Sequence, residues 1–485
     1  MSKPYQPTPE GLAKAEQRRL KKQQAKLHPP PKTENEQGHI LPRQWLDISS
    51  QTTGTSGRTV RLMTWNLLAQ SLVRRELFPT SDCLKAGQRE HMLYNEINSH
   101  NATICCLQEV DRTEKLFPQL EKSGYSWVYA VGPRKKHGCL IAYRKDACEC
   151  VRQKVVVYDE EEVRAEGDGN ARRGLSFRTK NIGSLVALRQ LGGGDDGIIV
   201  ATTHLFWHPA YAYERARQAG VLVREVTKFR SEGTEIEQRW PCILAGDFNF
   251  GPDDPAYSLL VGDELLPAQK ARLESSRVVH ATVDPAISVD GASAAEEDEE
   301  GAESGENDPD RIIVHARAAQ PTDGLLTDTE LEDLFRQSGT PTSAYDTGLR
   351  TLPDLAAGGL TFGSRVSIPE GRRGAFEPVY TSYTHYWQAV LDYIFVLDAP
   401  GRDVSVVRLA KPHSKDSFGE GLPRKGVCGS DHISLAADLR WPSTQMIRGE
   451  QHTNEHCTET VVIRGRNEQY RLQPCGGREE GRAIC

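Results

Sequence analysis

Six short apolar runs in this chain end or begin in residues that a buried strand has no packing reason to choose. Residues 60–64 lead into Trp65 and Asn66, residues 104–107 into Gln108 and Glu109, and residues 199–201 into Thr202, Thr203 and His204. Residues 242–245 lead into Gly246, Asp247, Phe248 and Asn249. Farther along, Asp392 precedes Tyr393, Ile394 and Phe395, and Asp431 and His432 precede Ile433. A single carboxylate at a strand end is ordinarily a solvated loop residue or a helix cap. Asp392 differs, because it interrupts an apolar strand and a buried carboxylate needs a partner. Six such ends together are how an α/β sheet builds a site at one edge. Carboxylates with Asn, and no Cys among them, are hard oxygen ligands that favour Mg²⁺ or Mn²⁺ over zinc. A hard divalent ion beside an imidazole and an orienting carboxylate suits the attack of water on a phosphodiester. The ion neutralises the phosphate and stabilises the leaving oxyanion, while protein groups place the water in line. No nucleophile elbow or phosphate-binding loop offers a competing chemistry.

The elements that must position these residues are strands expected over 60–66, 103–108, 139–144, 184–188, 198–204, 242–247, 390–397 and 433–439. Most are bounded by Gly, Pro, Asp or Asn. Helices are expected over 85–99 and 211–229; in the second, Ala219, Leu222, Val223 and Val226 recur at helical spacing. Strands mixed with helices predict a layered α/β domain over residues 58–441. Asp247 and Asn249, two apart, share a face if their strand persists that far. In the strands beginning near Asp392 and His432 the polar residue leads, so those two must run antiparallel to the others to reach the same edge.

The flanking sequence is different in kind. Residues 1–32 carry a net charge of +6, and residues 288–310 carry −10 with no basic residue, which leaves −3 of the total −7 for everything else. A nearly neutral body must hold an anionic partner at a local site and not by a global field. Residues 1–57 read as a basic, disordered appendage in which residues 9–26 could form a short helix capped by Thr8, as a solvated tail or a nuclear-targeting or RNA-tethering segment. The stretch 270–335 reads as an insertion around an acidic, disordered core at about 285–311, and 442–485 as a tail of unassigned role. No run reaches the ~18 apolar residues of a spanning helix, and residues 1–32 lack the apolar core of a signal peptide. With eleven scattered cysteines and no C-x-x-C pair, the chain reads as a reduced, soluble intracellular protein, cytoplasmic, nuclear or mitochondrial, with no membrane partner.

The motifs WNLLAQ (65–70), CLQEVD (106–111), TTHLFWHP (202–209), GDFN (246–249), LDYIF (391–395) and SDH (430–432), in this order, resemble the endonuclease/exonuclease/phosphatase superfamily. Within it the chain looks like the branch of poly(A) deadenylases, nocturnin and Angel proteins, and LAQSLVRRELFPT (68–80) looks closest to the fungal Ngl-type RNA exonucleases. The resemblance implies a two-sheet α/β sandwich. It implies Glu109 as the main ligand of Mg²⁺, or of Mn²⁺ as its substitute, with Asn66 beside it, and Asp431 near a second metal. It implies Asp247 orienting or deprotonating the water and Asn249 holding the phosphate. His432 would stabilise the pentavalent phosphate or transfer a proton, with Asp392 fixing its ring, and His204 would contact the scissile phosphate. Trp387 stands where deadenylases put a ring against a base, or else it is a core residue. On the helix after His208, itself part of the FWHP run and a candidate substrate contact, Arg215 either touches phosphate or is an ordinary surface arginine.

Three functions remain open on the sequence. One is a Mg²⁺-dependent 3′→5′ exoribonuclease on single-stranded RNA 3′ ends, either poly(A) or structural RNA precursors. Another is a phosphatase on nucleotides or 2′,3′-cyclic RNA ends. The last is a catalytically silent RNA-binding scaffold, against which the complete set of polar groups argues.

Overall fold

Along the strand Ile104–Val110, Ile104 and Cys106 turn to one face and Cys105 and Leu107 to the other, and all four are fully buried. The period of two thus gives the strand two apolar faces. Ile104 and Cys106 join Val60, Leu62 and Ile141 in a cluster that includes Val186, Val200, Ile243 and Ile394 from a second sheet. Cys105 and Leu107 pack outward with Met63, Trp65 and Ile97, the last from the helix Ala86–His100. In the second sheet Ile198 and Val200 face the first, while Ile199 and Ala201 face Ala219, Leu222, Val223 and Val226 of the helix Ala212–Ser231. The result is helix, sheet, sheet, helix: the expected α/β sandwich.

The structure, a computed structural model, describes Glu16 and residues 38–48, 57–167, 169–192, 194–288 and 312–442. Its seven-stranded sheet runs Trp45–Asp47, Ser405–Ala410, Leu435–Pro442, Gly57–Asn66, Ile104–Val110, Gly138–Arg144, Tyr125–Val131. Its six-stranded sheet runs Thr342–Ser343, Asp392–Leu397, Cys242–Asp247, Gly197–His204, Ile182–Gln190, Cys148–Val157. Each sheet holds one parallel pair, and these set Asn66 beside Gln108 and His204 beside Asp247. The two strands led by polar residues do run antiparallel: Asp392 lies opposite Asp247, and Leu435 opposite Thr64. Chain direction therefore delivers all six polar ends to one edge of the sandwich. Beneath that edge, Gln108 Nε2 donates to Thr64 Oγ1 on the neighbouring strand at 3.2 Å and across the gap to Thr202 Oγ1 at 2.9 Å, the second bond tying the sheets together.

Three boundaries differ from expectation. Trp45–Asp47 pairs with Ser405–Ala410, so the assignment of residues 1–57 to an appendage is corrected there. The Arg61 guanidinium lies 4.1 Å from the Trp45 ring and anchors it, a long-range contact that no local pattern announces. The insertion is also narrower than 270–335. Leu273, Leu331 and Phe335 are buried in the core against the helix Ala212–Ser231, and the hairpin Val278–His280 with Ala316–Ala318 pins the two ends of the remaining segment. Finally, the strand carrying Asp247 ends at that residue. The expected helix at 9–26 (Glu16 apart), the acidic run 289–311 and the tail after 442 lie outside the described residues. The eight cysteines among the described residues form no disulfide. No helix among them is long and apolar enough to cross a membrane.

One buried acid makes the core itself pH-sensitive. Glu377 is fully buried; Tyr257 Oη donates to its Oε1 at 2.8 Å, and Oε2 has no hydrogen-bond partner. Burial, then the charge of Asp346, push its carboxyl up to about 8 from an ordinary 4.5. At neutral pH the folded protein holds a proton there that the unfolded chain releases, so stability falls as pH rises from about 4.5 to 8 and levels off above. A carboxyl displaced this far from its ordinary value makes the fall on the order of a few kcal/mol. Glu377→Gln is expected to flatten it, giving a higher melting temperature than the parent at pH 8.5 and a similar one at pH 5. Parallel melting curves across that range would contradict the assignment.

Candidate active site

The site is built around one carboxylate oxygen. Asp247 Oδ2 accepts from Asn66 Nδ2 at 3.0 Å, and it lies 3.5 Å from His204 Nε2 and 3.7 Å from His432 Nε2. Asn66 Nδ2 also donates to Glu109 Oε1 at 2.6 Å, and Glu109 Oε2 accepts from the Ala69 backbone at 2.7 Å. His432 Nδ1 meets Asp392 Oδ2 at 2.8 Å, which fixes the ring and aims Nε2 at Asp247. Residues from both sheets, hundreds of positions apart, therefore converge.

Backbone strain holds three of the lining residues. Glu109 sits in a bulge of its strand at φ 54°, Asn249 follows its strand at φ 53°, and Leu68 has φ 57°. Each costs of order 1–3 kcal/mol outside glycine and persists only where the surroundings impose it. The left-handed turn at Asn249 replaces the strand extension expected from sequence. Its N–H caps Asp247 Oδ1 at 3.0 Å and its Nδ2 donates to Leu205 O at 2.9 Å, so both residues still line the cleft.

A buried guanidinium, which sequence reading missed, sets the loops. Arg89 Nε donates to Gly429 O at 2.7 Å, and its Nη2 donates to Leu67 O at 2.6 Å and to Leu68 O. One side chain thereby clamps the turn after Asn66 to the loop that carries Ser430, Asp431 and His432. Ser430 Oγ completes the tie by donating to Asn66 O at 2.7 Å. The signal was an arginine on the apolar face of an otherwise amphipathic helix.

The imidazoles are poised differently. Burial lowers the pKa of His432, but the charges of Asp392, Asp247 and Asp431 more than offset it and carry it well above 6.5. Burial, with His137 and Lys135 nearby, takes His204 well below 6.5. An imidazolium and a neutral imidazole thus flank Asp247.

Two buried carboxylates, Glu109 and Asp247, share one neutral amide donor, and the Arg89 guanidinium acts on Glu109. Asp392 Oδ1 is buried with no hydrogen-bond partner. Asp247, Asp392 and His432 place ligand atoms within 4.8 Å of one another, but the tight Asp392–His432 pair already occupies that set. The hard carboxylate oxygens of Glu109 and Asp431, which line the same cleft, fit a divalent cation better, whereas Asn66, expected as a ligand, turns its NH₂ to Glu109 and Asp247 while its Oδ1 accepts from Leu68 N at 2.9 Å.

The cleft measures about 430 Å³. Glu109, His204, Asp247, Asn249, Asp431 and His432 form its polar end, and Leu68, Leu72, Leu77 and Phe78 with Trp387 form an apolar wall. Trp387 is half-buried, edge-on to Phe78 at 5.7 Å, and donates to Ser382 Oγ at 3.1 Å. Arg215 is no ordinary surface residue: it is buried, lines the cleft and holds His208 O, Pro209 O (2.8 Å) and Asp254 (3.4 Å), while its Nε has no hydrogen-bond partner. His208 is not among the residues lining the cleft; it stacks on Phe206, and its Nδ1 accepts from Ala210 N at 3.2 Å.

A probable RNA exonuclease of Schizosaccharomyces pombe is 28% identical over 89% of this chain and 88% of its own length. The RNA exonuclease NGL2 of Saccharomyces cerevisiae is 27% identical over 83% and 82%. The fold matches the crystal structure of ANGEL2, a 2′,3′-cyclic phosphatase, with a TM-score of 0.52 at 19% identity, covering 83% of this chain and 99% of that one. A sequence model of the Endonuclease/Exonuclease/phosphatase family matches residues 63–432, and the chain is an enzyme of that family.

Proposed function

We propose that this enzyme is a Mg²⁺-dependent 3′→5′ exoribonuclease that releases nucleoside 5′-monophosphates from single-stranded RNA. The observation that carries the reading is Asp247, set among the Asn66 amide and the two imidazoles of His204 and His432 at the polar end of a cleft walled by Phe78 and Trp387. Two relatives named as RNA exonucleases and matched over most of their length support it. Glu109 and Asp431 would hold the cation, with Asn66 bridging Glu109 to Asp247, and the cation would supply charge neutralisation at the phosphate. Asp247 takes the proton of the attacking water as its oxygen bonds to phosphorus. The P–O3′ bond breaks on the far side, and His432 gives its proton to the departing 3′-oxygen. His204 and Asn249 border the phosphate, and the terminal base lies against the apolar wall.

Incubating 5′-labelled oligoribonucleotide with Mg²⁺ tests this: a descending ladder that EDTA abolishes is expected. One mobility change without shortening would overturn it in favour of a phosphatase. Trp387→Ala is expected to weaken RNA binding by about 1–3 kcal/mol, the worth of one base stack. Unaltered affinity in a fluorescence titration would make the ring a structural cover for Phe78 alone.

A further inference from the structure

Glu109 and His204 have a second side. Beyond them, facing away from the apolar wall, lies a small groove lined by Gly132, Lys135, His137, Lys180 and Asn181. The loop after the strand Tyr125–Val131 supplies Arg134, Lys135 and Lys136 without an acidic residue, and the segment before Ile182–Gln190 supplies Arg178 and Lys180. Of these, Lys135 and Lys180 line the groove itself, beside Glu109, and supply the cations that a local anion site requires in a body of nearly neutral charge.

The groove is built, not incidental. Arg134 and Lys180 both hold left-handed backbone, at φ 63° and 60°. Gly132 lies so close to the Lys180 carbonyl that a Cβ there would stand 2.1 Å from its oxygen. Asp159 accepts from the backbones of Thr179 at 3.1 Å and Lys180 at 2.9 Å, so its carboxylate orders the segment. Lys135 reaches Asn181 Oδ1 at 3.5 Å, and Asn181 Nδ2 donates to His204 O at 2.6 Å, which couples the groove to the catalytic strand. The His137 and His204 rings are 6.1 Å apart.

We propose that this groove is a second phosphate subsite, taking the phosphodiester one nucleotide 5′ of the scissile one in single-stranded RNA. The inference rests on the exoribonuclease reading. With the terminal base against the apolar wall and the scissile phosphate over Glu109 and His204, the rest of the strand leaves by the other side of those two residues. There its next phosphate meets Lys135 and Lys180. The contact is with backbone charge alone, so it is indifferent to base identity and sensitive to salt.

The dinucleotide ApA and its 5′-phosphorylated form pApA isolate the subsite, because they differ only by the phosphate that would enter it. The wild-type enzyme is expected to favour pApA in kcat/KM by on the order of tenfold, as a charge-assisted contact gives. Lys135→Gln and Lys180→Gln, singly and together, are expected to bring that ratio toward one, and Lys135→Arg to restore most of it. On a longer oligoribonucleotide, the logarithmic salt dependence of binding becomes shallower by about 0.7 for each lysine–phosphate pair removed. Melting curves of each variant separate misfolding from impaired recognition. A wild-type ratio near one, or variants that slow both dinucleotides equally and keep the ratio, would overturn the subsite. Failure of the parent reading shows differently, as hydrolysis of neither dinucleotide.

Discussion

Glu109→Gln is expected to abolish nearly all turnover while leaving the fold in place. Gln has the same shape, and its single oxygen keeps one of the two hydrogen bonds, from Ala69 N or from Asn66 Nδ2. The other donor then faces an NH₂ group across the cleft wall, a local cost of about 1–3 kcal/mol. The larger loss is chemical. The substitution removes an anionic oxygen from the hard donor set and leaves Asp431 alone in it, so cation affinity falls with the charge that sustained it. Losing the charge stabilisation such an ion gives a developing oxyanion costs at least on the order of 10³-fold in rate. A readout independent of activity is available. Mg²⁺ that binds only the folded state raises the melting temperature in proportion to the logarithm of its concentration. The parent is expected to show that rise between micromolar and millimolar Mg²⁺, and Glu109→Gln to lack it. Equal Mg²⁺ stabilisation in the two proteins, or a variant that retains a tenth of the activity, would move the metal away from Glu109.

Much of this arrangement was legible in the chain because it is written in strands. Leu62 and Met63, or Ile199 and Val200, alternate between two buried faces, and the interruption of such runs by Asn66, Glu109, Asp247 and Asp392 marks an edge. Even the antiparallel direction of the strand at Asp392 followed from which end carried the polar group. What stayed hidden depends on tertiary contact. Nothing local to Arg89 says that its guanidinium will reach Gly429, 340 positions away. Arg215 sits on a helix that looks half-exposed until Asp254 and the His208 carbonyl close over it. The strand Trp45–Asp47 is three residues long and takes its identity from Arg61 and Ser405–Ala410. Lys180 and Asn181 carried a signal that was passed over: polar residues that lead an apolar strand, the same pattern as Asp392.

Asp392→Asn tests the other half of the chemistry. In the parent, Asp392 Oδ2 accepts from His432 Nδ1, so any mobile proton of the ring sits on Nε2, which faces Asp247 and, in the proposed mechanism, the departing oxygen. Burial works against the charged ring, yet Asp392, Asp247 and Asp431 together raise its pKa well above 6.5. The acid is therefore loaded at neutral pH, and the rate falls only as pH rises past that elevated value. Replacing the carboxylate by an amide removes the foremost of the raising charges. The alkaline limb of the pH–rate profile is then expected to move down toward about 6.5, the ordinary histidine value. At pH 7.5 the loss should be on the order of 10²- to 10³-fold, falling on kcat more than KM because the proton is needed in the transition state. Stability follows the same sign. A ring whose pKa is raised by folding stabilises fully below about 6.5 and loses that contribution as pH climbs through the raised value. Asp392→Asn should therefore lower the melting temperature at pH 6 and have less effect at pH 9. The His432 ring protons, followed by NMR, give the titration directly. If the limb stays where it is in the parent and kcat falls less than threefold, Asp392 does not govern His432, and the proton must reach the leaving oxygen by another route.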